Sequence, residues 1–183
     1  MIKYKVKPFP DPDEDCEFMS SSDFVTKMLN QSRSFKELGD GKCSKIWLEV
    51  LQCTGLPNKD IFGEGKPDAF VTIVYEDCYS KTNVIDNCSS PKWMPWTDRG
   101  FCLNVRHPST PIYLGVFDYD ADVPFQSHDF IGRAVIDTTK LRPRTEYTLS
   151  YNIWDSAVKN SYRKKNGEIM VSCHKFKYCT APN

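Results

Sequence analysis

From residue 45 onward, apolar and polar residues alternate with a period of two. That spacing turns one face of a strand to a core and the other to water. Residues 45–53 (KIWLEVLQC) open the series and stop at Thr54-Gly55. Residues 69–76 (AFVTIVYE) are rich in the β-branched and aromatic side chains that favour strands. A weaker alternation at 80–86 (SKTNVID) is followed by 100–106 (GFCLNVR), 112–117 (IYLGVF), 130–137 (FIGRAVID), 146–151 (EYTLSY) and 168–176 (EIMVSCHKF). Turn signals separate them at Leu56-Pro57-Asn58, Ser90-Pro91, His107-Pro108 and Lys165-Asn166-Gly167. Short strands punctuated in this way predict an all-β, eight-stranded antiparallel sandwich. No long helical stretch interrupts them, so a parallel βαβ sheet fits poorly. No internal repeat is present.

Residues 1–44 have a different pattern. Pro8, Pro10 and Pro12 stand among Asp11, Asp13, Glu14 and Asp15, a composition that stays extended and solvated. Behind Ser22-Asp23, which reads as an N-cap, Phe24, Val25, Met28 and Leu29 fall on one helical stripe. The expectation is a short helix packed on the domain or a linker; a helix that binds a membrane or partner is the alternative. The expected division is 1–44 as an extension, 45–176 as the domain and 177–183 as a tail.

Bulk composition narrows the classes. A chain of 183 residues fits one domain with extra length and can bury a core without staples. No apolar run approaches the roughly 20 residues of a membrane-spanning helix. The N-terminal segment has no apolar stretch of signal-peptide length, so no secretion signal is expected. Lys plus Arg equals Asp plus Glu at 24 each, so any electrostatic function must come from where charges sit. The eight cysteines form no CxxC pair, which argues against structural zinc. Reduced thiols acting as small core residues are expected instead.

Two loops concentrate carboxylates. The first, LPNKDIFGEGKPDAF, carries Asp60 and Asp68; the second, DYDADVPFQSHD, carries Asp118, Asp120, Asp122 and Asp129. If both loops open at one end of the sandwich, these groups converge and repel one another unless a multivalent cation neutralises them. Calcium takes 6–8 oxygen ligands and suits such a set. His128 is the one nitrogen candidate nearby, and a hard ion does not prefer it. Asp118, Asp120, Asp122 and Asp129 also match positions 1, 3, 5 and 12 of an EF-hand loop, but Val123 occupies position 6, where that loop needs glycine. The flanks read as strands, so the EF-hand is rejected.

The segments WLEVLQCTGLPNKD, KPDAFVTIVY, SPKWMPW, VFDYD and HDFIGRAVI, in this order, resemble the C2 domain family, known from protein kinase C and the synaptotagmins. The resemblance covers roughly residues 45–176. It implies a C2-type sandwich, with a strand order similar to the type II permutation. It implies calcium as the cofactor, held by Asp60 and Asp68 from the first loop and Asp118, Asp120 and Asp129 from the second. Backbone carbonyls of Ile61 and Tyr119 fall where the family uses carbonyl ligands. Asp122 lies in a lengthened loop and reads equally as a sixth ligand or a solvated residue. Gly63-Glu64-Gly65 lengthens the first loop, which affects ion count and affinity.

The function implied is calcium-dependent docking on anionic phospholipid membranes. The protein would be cytoplasmic and peripheral to membranes when calcium is bound. Ile61, Phe62, Val123 and Phe125 are the expected membrane contacts. Trp93, Pro95 and Trp96 are read as core and loop packing at the calcium end. Lys81, Lys92, Arg99 and Arg106 read as a solvated face, and Arg163-Lys164-Lys165 as a basic run that would help near an acidic membrane. The alternative is a calcium-independent protein-interaction module, with a protein as partner. Nucleic acid is not among the expected partners. No Ser-His-Asp set, phosphate-cradling glycine loop or oriented Cys-His pair is present, so an enzyme is not expected.

Overall fold

Strand β1 (Ser44–Thr54) alternates as its sequence dictates, with Ile46, Leu48 and Val50 buried and Lys45 and Trp47 exposed. The computed structural model describes residues 20–33, 44–58, 65–107, 109–120, 128–155 and 164–176. The remaining strands are β2 (Ala69–Tyr75), β3 (Cys78–Lys81), β4 (Gly100–Val105), β5 (Ile112–Asp118), β6 (Asp129–Ile136), β7 (Glu146–Trp154) and β8 (Lys165–Phe176). Every pairing between these strands is antiparallel. The order is β3-β2-β5-β6-β7-β8-β1-β4. Between β6 and β7 the pairing narrows to Arg133 opposite Trp154. The ladder therefore behaves as two four-stranded sheets, β3-β2-β5-β6 and β7-β8-β1-β4. Ile46, Leu48 and Val50 of one sheet share a core with Val71, Ile73, Leu114 and Val116 of the other. This is the sandwich that the period-two pattern predicts.

The alternation disappears in β2 and β5, where all seven residues of each strand are buried. A third layer explains it. Helix α1 (Ser21–Arg33) lies against the outer face of these strands, with Phe24 and Met28 fully buried on Phe70, Val74, Tyr113 and Phe117. Burying two such side chains contributes roughly 1.5–3 kcal/mol each. The capping residue is Ser20 rather than the expected Ser22. Ser20 Oγ accepts the Asp23 N–H at 3.2 Å and donates to Asp23 Oδ2 at 2.7 Å.

The third strand also differs from the sequence pattern. Glu76, at φ 49°, and Asp77 make a tight turn, so the return strand starts at Cys78 and ends at Lys81. Thr82 Oγ1 then takes the Val71 N–H, and pairing resumes only where Ile85 meets Ala69. Glu76 is buried, and its Oε1 accepts the backbone N–H groups of Arg106 and His107 at 2.9 and 2.8 Å. The turn is thereby tied to the β4–β5 connection. Burial pushes the neighbouring Tyr75 phenol above its ordinary range, and the Glu76 charge adds to the shift. Glu76→Gln keeps an acceptor and loses the charge assistance of both bonds. We expect it to cost about 1–2 kcal/mol, read as a lower midpoint in urea unfolding with an unchanged slope.

Among the described residues Cys53, Cys78, Cys88, Cys102 and Cys173 are free thiols. Cys53 and Cys173 are buried, and burial pushes the Cys173 thiol up to about 12, as expected of an inert core residue.

Candidate metal centre

The backbone brings the two acidic loops to one end of the sandwich. Asp118 closes β5 and Asp129 opens β6, and the two stand opposite each other in the ladder. Ala69, the first residue of β2, pairs with Asp118 on its other side. Asp68 therefore sits beside Asp118, and its N–H donates to Asp118 Oδ1 at 2.7 Å. The Asp68 carbonyl accepts the Tyr119 N–H at 2.9 Å, which locks the two chain segments together. Asp118 is only 3% exposed, whereas Asp129 is open to solvent. Direct opposition places the side chains of Asp118 and Asp129 on the same face.

A third segment completes this end. The Asn87 N–H donates to Asp68 Oδ1 at 2.6 Å, and Asn87 Oδ1 accepts the Lys66 N–H at 3.1 Å. Asn87 adopts φ 49°, a left-handed conformation that asparagine tolerates better than most residues. The sequence carried a weak signal for this role, an Asp-Asn pair that straddles the end of the third predicted strand.

His128 has a role that its side-chain chemistry alone did not reveal. Its Nδ1 accepts the Asp120 N–H at 3.3 Å, and its ring stacks on Tyr119 at 4.7 Å and meets the Phe70 ring edge-on at 5.2 Å. It therefore joins the two ends of the second acidic loop. Burial lowers the imidazole's proton affinity and Lys81 lowers it further, against the opposing pull of Asp120. A neutral ring is what leaves Nδ1 able to accept.

Of the predicted ligands, the described residues include Asp68, Asp118, Tyr119, Asp120 and Asp129. Asp60, Ile61, Phe62, Asp122, Val123 and Phe125 lie outside the described residues. Among the described residues, no three His, Cys, Asp or Glu side chains assemble into a group able to hold a metal ion. The donor chemistry nevertheless suits a hard cation, because every side chain predicted to ligate is a carboxylate.

The predicted Trp93-Pro95-Trp96 packing divides. Trp93 is fully buried, and its Nε1 donates to the Asn83 carbonyl at 2.8 Å. Trp96 is 81% exposed, because residues 94–98 leave the sheet edge between the Trp93–Leu51 and Arg99–Val50 backbone bonds. Its ring thus projects outward, contrary to the packing role expected for it.

The sequence model of the C2 domain matches residues 44–153. The chain belongs to the C2 domain family. The fold agrees with solved C2 structures. The first C2 domain, domain A, of plant extended synaptotagmin 1 matches with a TM-score of 0.59 at 20% identity, over 74% of this chain and 96% of that one. The calcium-bound pair of C2 domains, A and B, of extended synaptotagmin 2 matches at 0.58 and 20% identity, over 75% of this chain and 47% of that one. Among curated proteins, multiple C2 domain and transmembrane region protein 12 of Arabidopsis thaliana is 28% identical over 159 residues. The aligned region covers 80% of this C2 chain and 18% of that protein's length. Among the described residues of this C2 domain, no helix is long and apolar enough to cross a membrane.

Proposed function

We propose that this C2 domain binds anionic phospholipid membranes in a calcium-dependent manner, through the loop tips at its acidic end. The observation that carries the proposal is the alignment of Asp68, Asp118 and Asp129 on adjoining chain segments at one end of the sandwich. Asp118 and Asp129 anchor the second loop at both ends, and Asp60 would complete the set from the first. The side chains of Asp60, Asp68, Asp118, Asp120 and Asp129 would hold calcium, with Ile61 and Tyr119 contributing carbonyl oxygen and Asp122 available as a further donor. Bound calcium would supply positive charge and open coordination positions for lipid oxygens. The chain's own part is to gather the carboxylates and to present Ile61, Phe62, Val123 and Phe125 to the bilayer. The placement of β1 between β8 and β4 supports the type II order. We read the protein as a binding module without catalysis, cytoplasmic and peripheral to membranes in its calcium-bound state.

Co-sedimentation with vesicles tests this. The chain is expected to pellet with phosphatidylserine vesicles in calcium and to stay in solution with a chelator or with purely neutral lipid. Phe62→Ala/Phe125→Ala should weaken the calcium-dependent fraction at least about tenfold, since burying one phenylalanine contributes roughly 1.5–3 kcal/mol. No pelleting in either condition would favour the calcium-independent protein-interaction module, and equal pelleting in both would contradict the calcium dependence.

A further inference from the structure

Helix α1 is built into the acidic end from behind. The Phe24 ring lies over Gly115 of β5, where a Cβ would come within 2.8 Å of Phe24 Cε1 and 2.9 Å of Phe24 Cζ. Glycine at this position is therefore a seat for the ring, and a Cβ here would also come within 2.8 Å of Phe117 Cε2, so a larger residue would force the Phe24 and Phe117 rings to shift. From there Phe24 meets Phe117 edge-on at 5.8 Å and Phe130 at 6.2 Å. Phe117 and Phe130 are themselves cross-strand partners with centroids 5.3 Å apart. Phe70 stacks on Phe117 at 5.6 Å and reaches the His128 ring that joins the ends of the second loop.

Each of the three strand rings lies close in sequence to a candidate ligand. Phe117 immediately precedes Asp118, Phe130 immediately follows Asp129, and Phe70 lies two residues after Asp68. A register shift between Val116 and Phe117 interrupts the ladder just before these residues, and pairing resumes for only two positions, Phe117 opposite Phe130 and Asp118 opposite Asp129. The rings packed behind the bulge support this short stretch of ladder.

We propose that Phe24 is a positioning residue for the acidic end. Seated on Gly115, it wedges the Phe117–Phe130 pair and so holds Asp118 and Asp129 at their working separation. The segment that carries α1 thereby tunes calcium affinity without touching the ion. This coupling rests on the acidic end being a calcium site. Coupling between two sites is reciprocal. If the docked helix tightens calcium binding, calcium must stabilise the docked helix by the same factor.

The experiment is calcium titration calorimetry on the full chain and its variants, with amide hydrogen exchange of α1 with and without calcium. Phe24→Ala should weaken calcium binding about tenfold, within the usual range of coupling between sites. Phe24→Leu should weaken it less, and decides the matter if the alanine variant does not fold. Thr26→Ala, on the exposed side of the helix, should leave affinity within about twofold. Calcium should slow exchange of the α1 amides in the parent. If both Phe24 variants lose stability but keep the parent's calcium affinity, and calcium leaves α1 exchange unchanged, Phe24 is merely a packing residue and the proposal is overturned. A parent chain that takes up no calcium overturns the calcium site itself, a result distinct from unaltered affinity in the variants.

Discussion

Asp118→Asn/Asp120→Asn removes two negative charges from the acidic end and is expected to weaken calcium binding by at least about 100-fold. A unit charge pair at 4 Å is worth about 4 kcal/mol at an effective dielectric of 20, and each 1.4 kcal/mol is tenfold in affinity. Asparagine is the right replacement because the Asp68 N–H donates to Asp118 Oδ1. An amide oxygen can still accept that bond, whereas alanine would leave the donor without its acceptor, at a cost of about 1–3 kcal/mol. The paired measurement is thermal unfolding with and without calcium. The parent should gain about 2.7 kcal/mol at a calcium concentration 100 times its dissociation constant, by mass action. Without calcium the double variant should unfold close to the parent, because the lost charge assistance of the Asp68 N–H bond offsets the removal of two like charges from this end. It should gain nothing from calcium. A variant that gains as much as the parent would remove Asp118 and Asp120 from the site.

Trp93→Ala and Trp96→Ala should differ by several kcal/mol although the residues are three apart. Trp93 is fully buried, and its indole N–H satisfies the Asn83 carbonyl. The Trp93 backbone also anchors the chain, with its N–H bonded to Leu51 O and its carbonyl accepting from Arg99 Nη1 at 2.9 Å. Truncation leaves a large cavity and removes one of two donors to the Asn83 carbonyl, which keeps the Thr82 hydroxyl at 3.0 Å, for a loss of about 3–5 kcal/mol. Trp96, at 81% exposure, should change stability by no more than about 0.5 kcal/mol. Urea unfolding followed by far-UV circular dichroism reads both. Similar losses for the two would mean that residues 94–98 pack more closely than their exposure indicates.

That contrast shows where the sequence was legible. The period-two runs located all eight strands, because a strand with one wet face must alternate. The same runs could not show why β2 and β5 are buried throughout, since that depends on a helix far upstream of both. The stripe of Phe24, Val25, Met28 and Leu29 announced an apolar helix face but not the surface it would cover. Gly115 is uninformative in sequence, and its meaning appears only once the Phe24 ring lies above it. The third strand was placed late because the Glu76-Asp77 turn lacks glycine and reads as strand residue plus loop. At the acidic end, the sequence showed which two loops concentrate carboxylates, because chemistry of that kind is concentrated in few residue types. Their supports were hidden. Asn87 and His128 each hold a carboxylate-bearing segment through a backbone bond, a contribution that no local pattern encodes.

The proposed function depends on carboxylates from two distant loops holding one kind of ion together. Calorimetric titration of the unmodified chain with calcium, with magnesium as a control, addresses this most directly. Saturable calcium uptake is predicted, with much weaker magnesium binding, because magnesium demands a smaller, octahedral site. An absence of saturable calcium uptake up to millimolar concentrations would contradict the account.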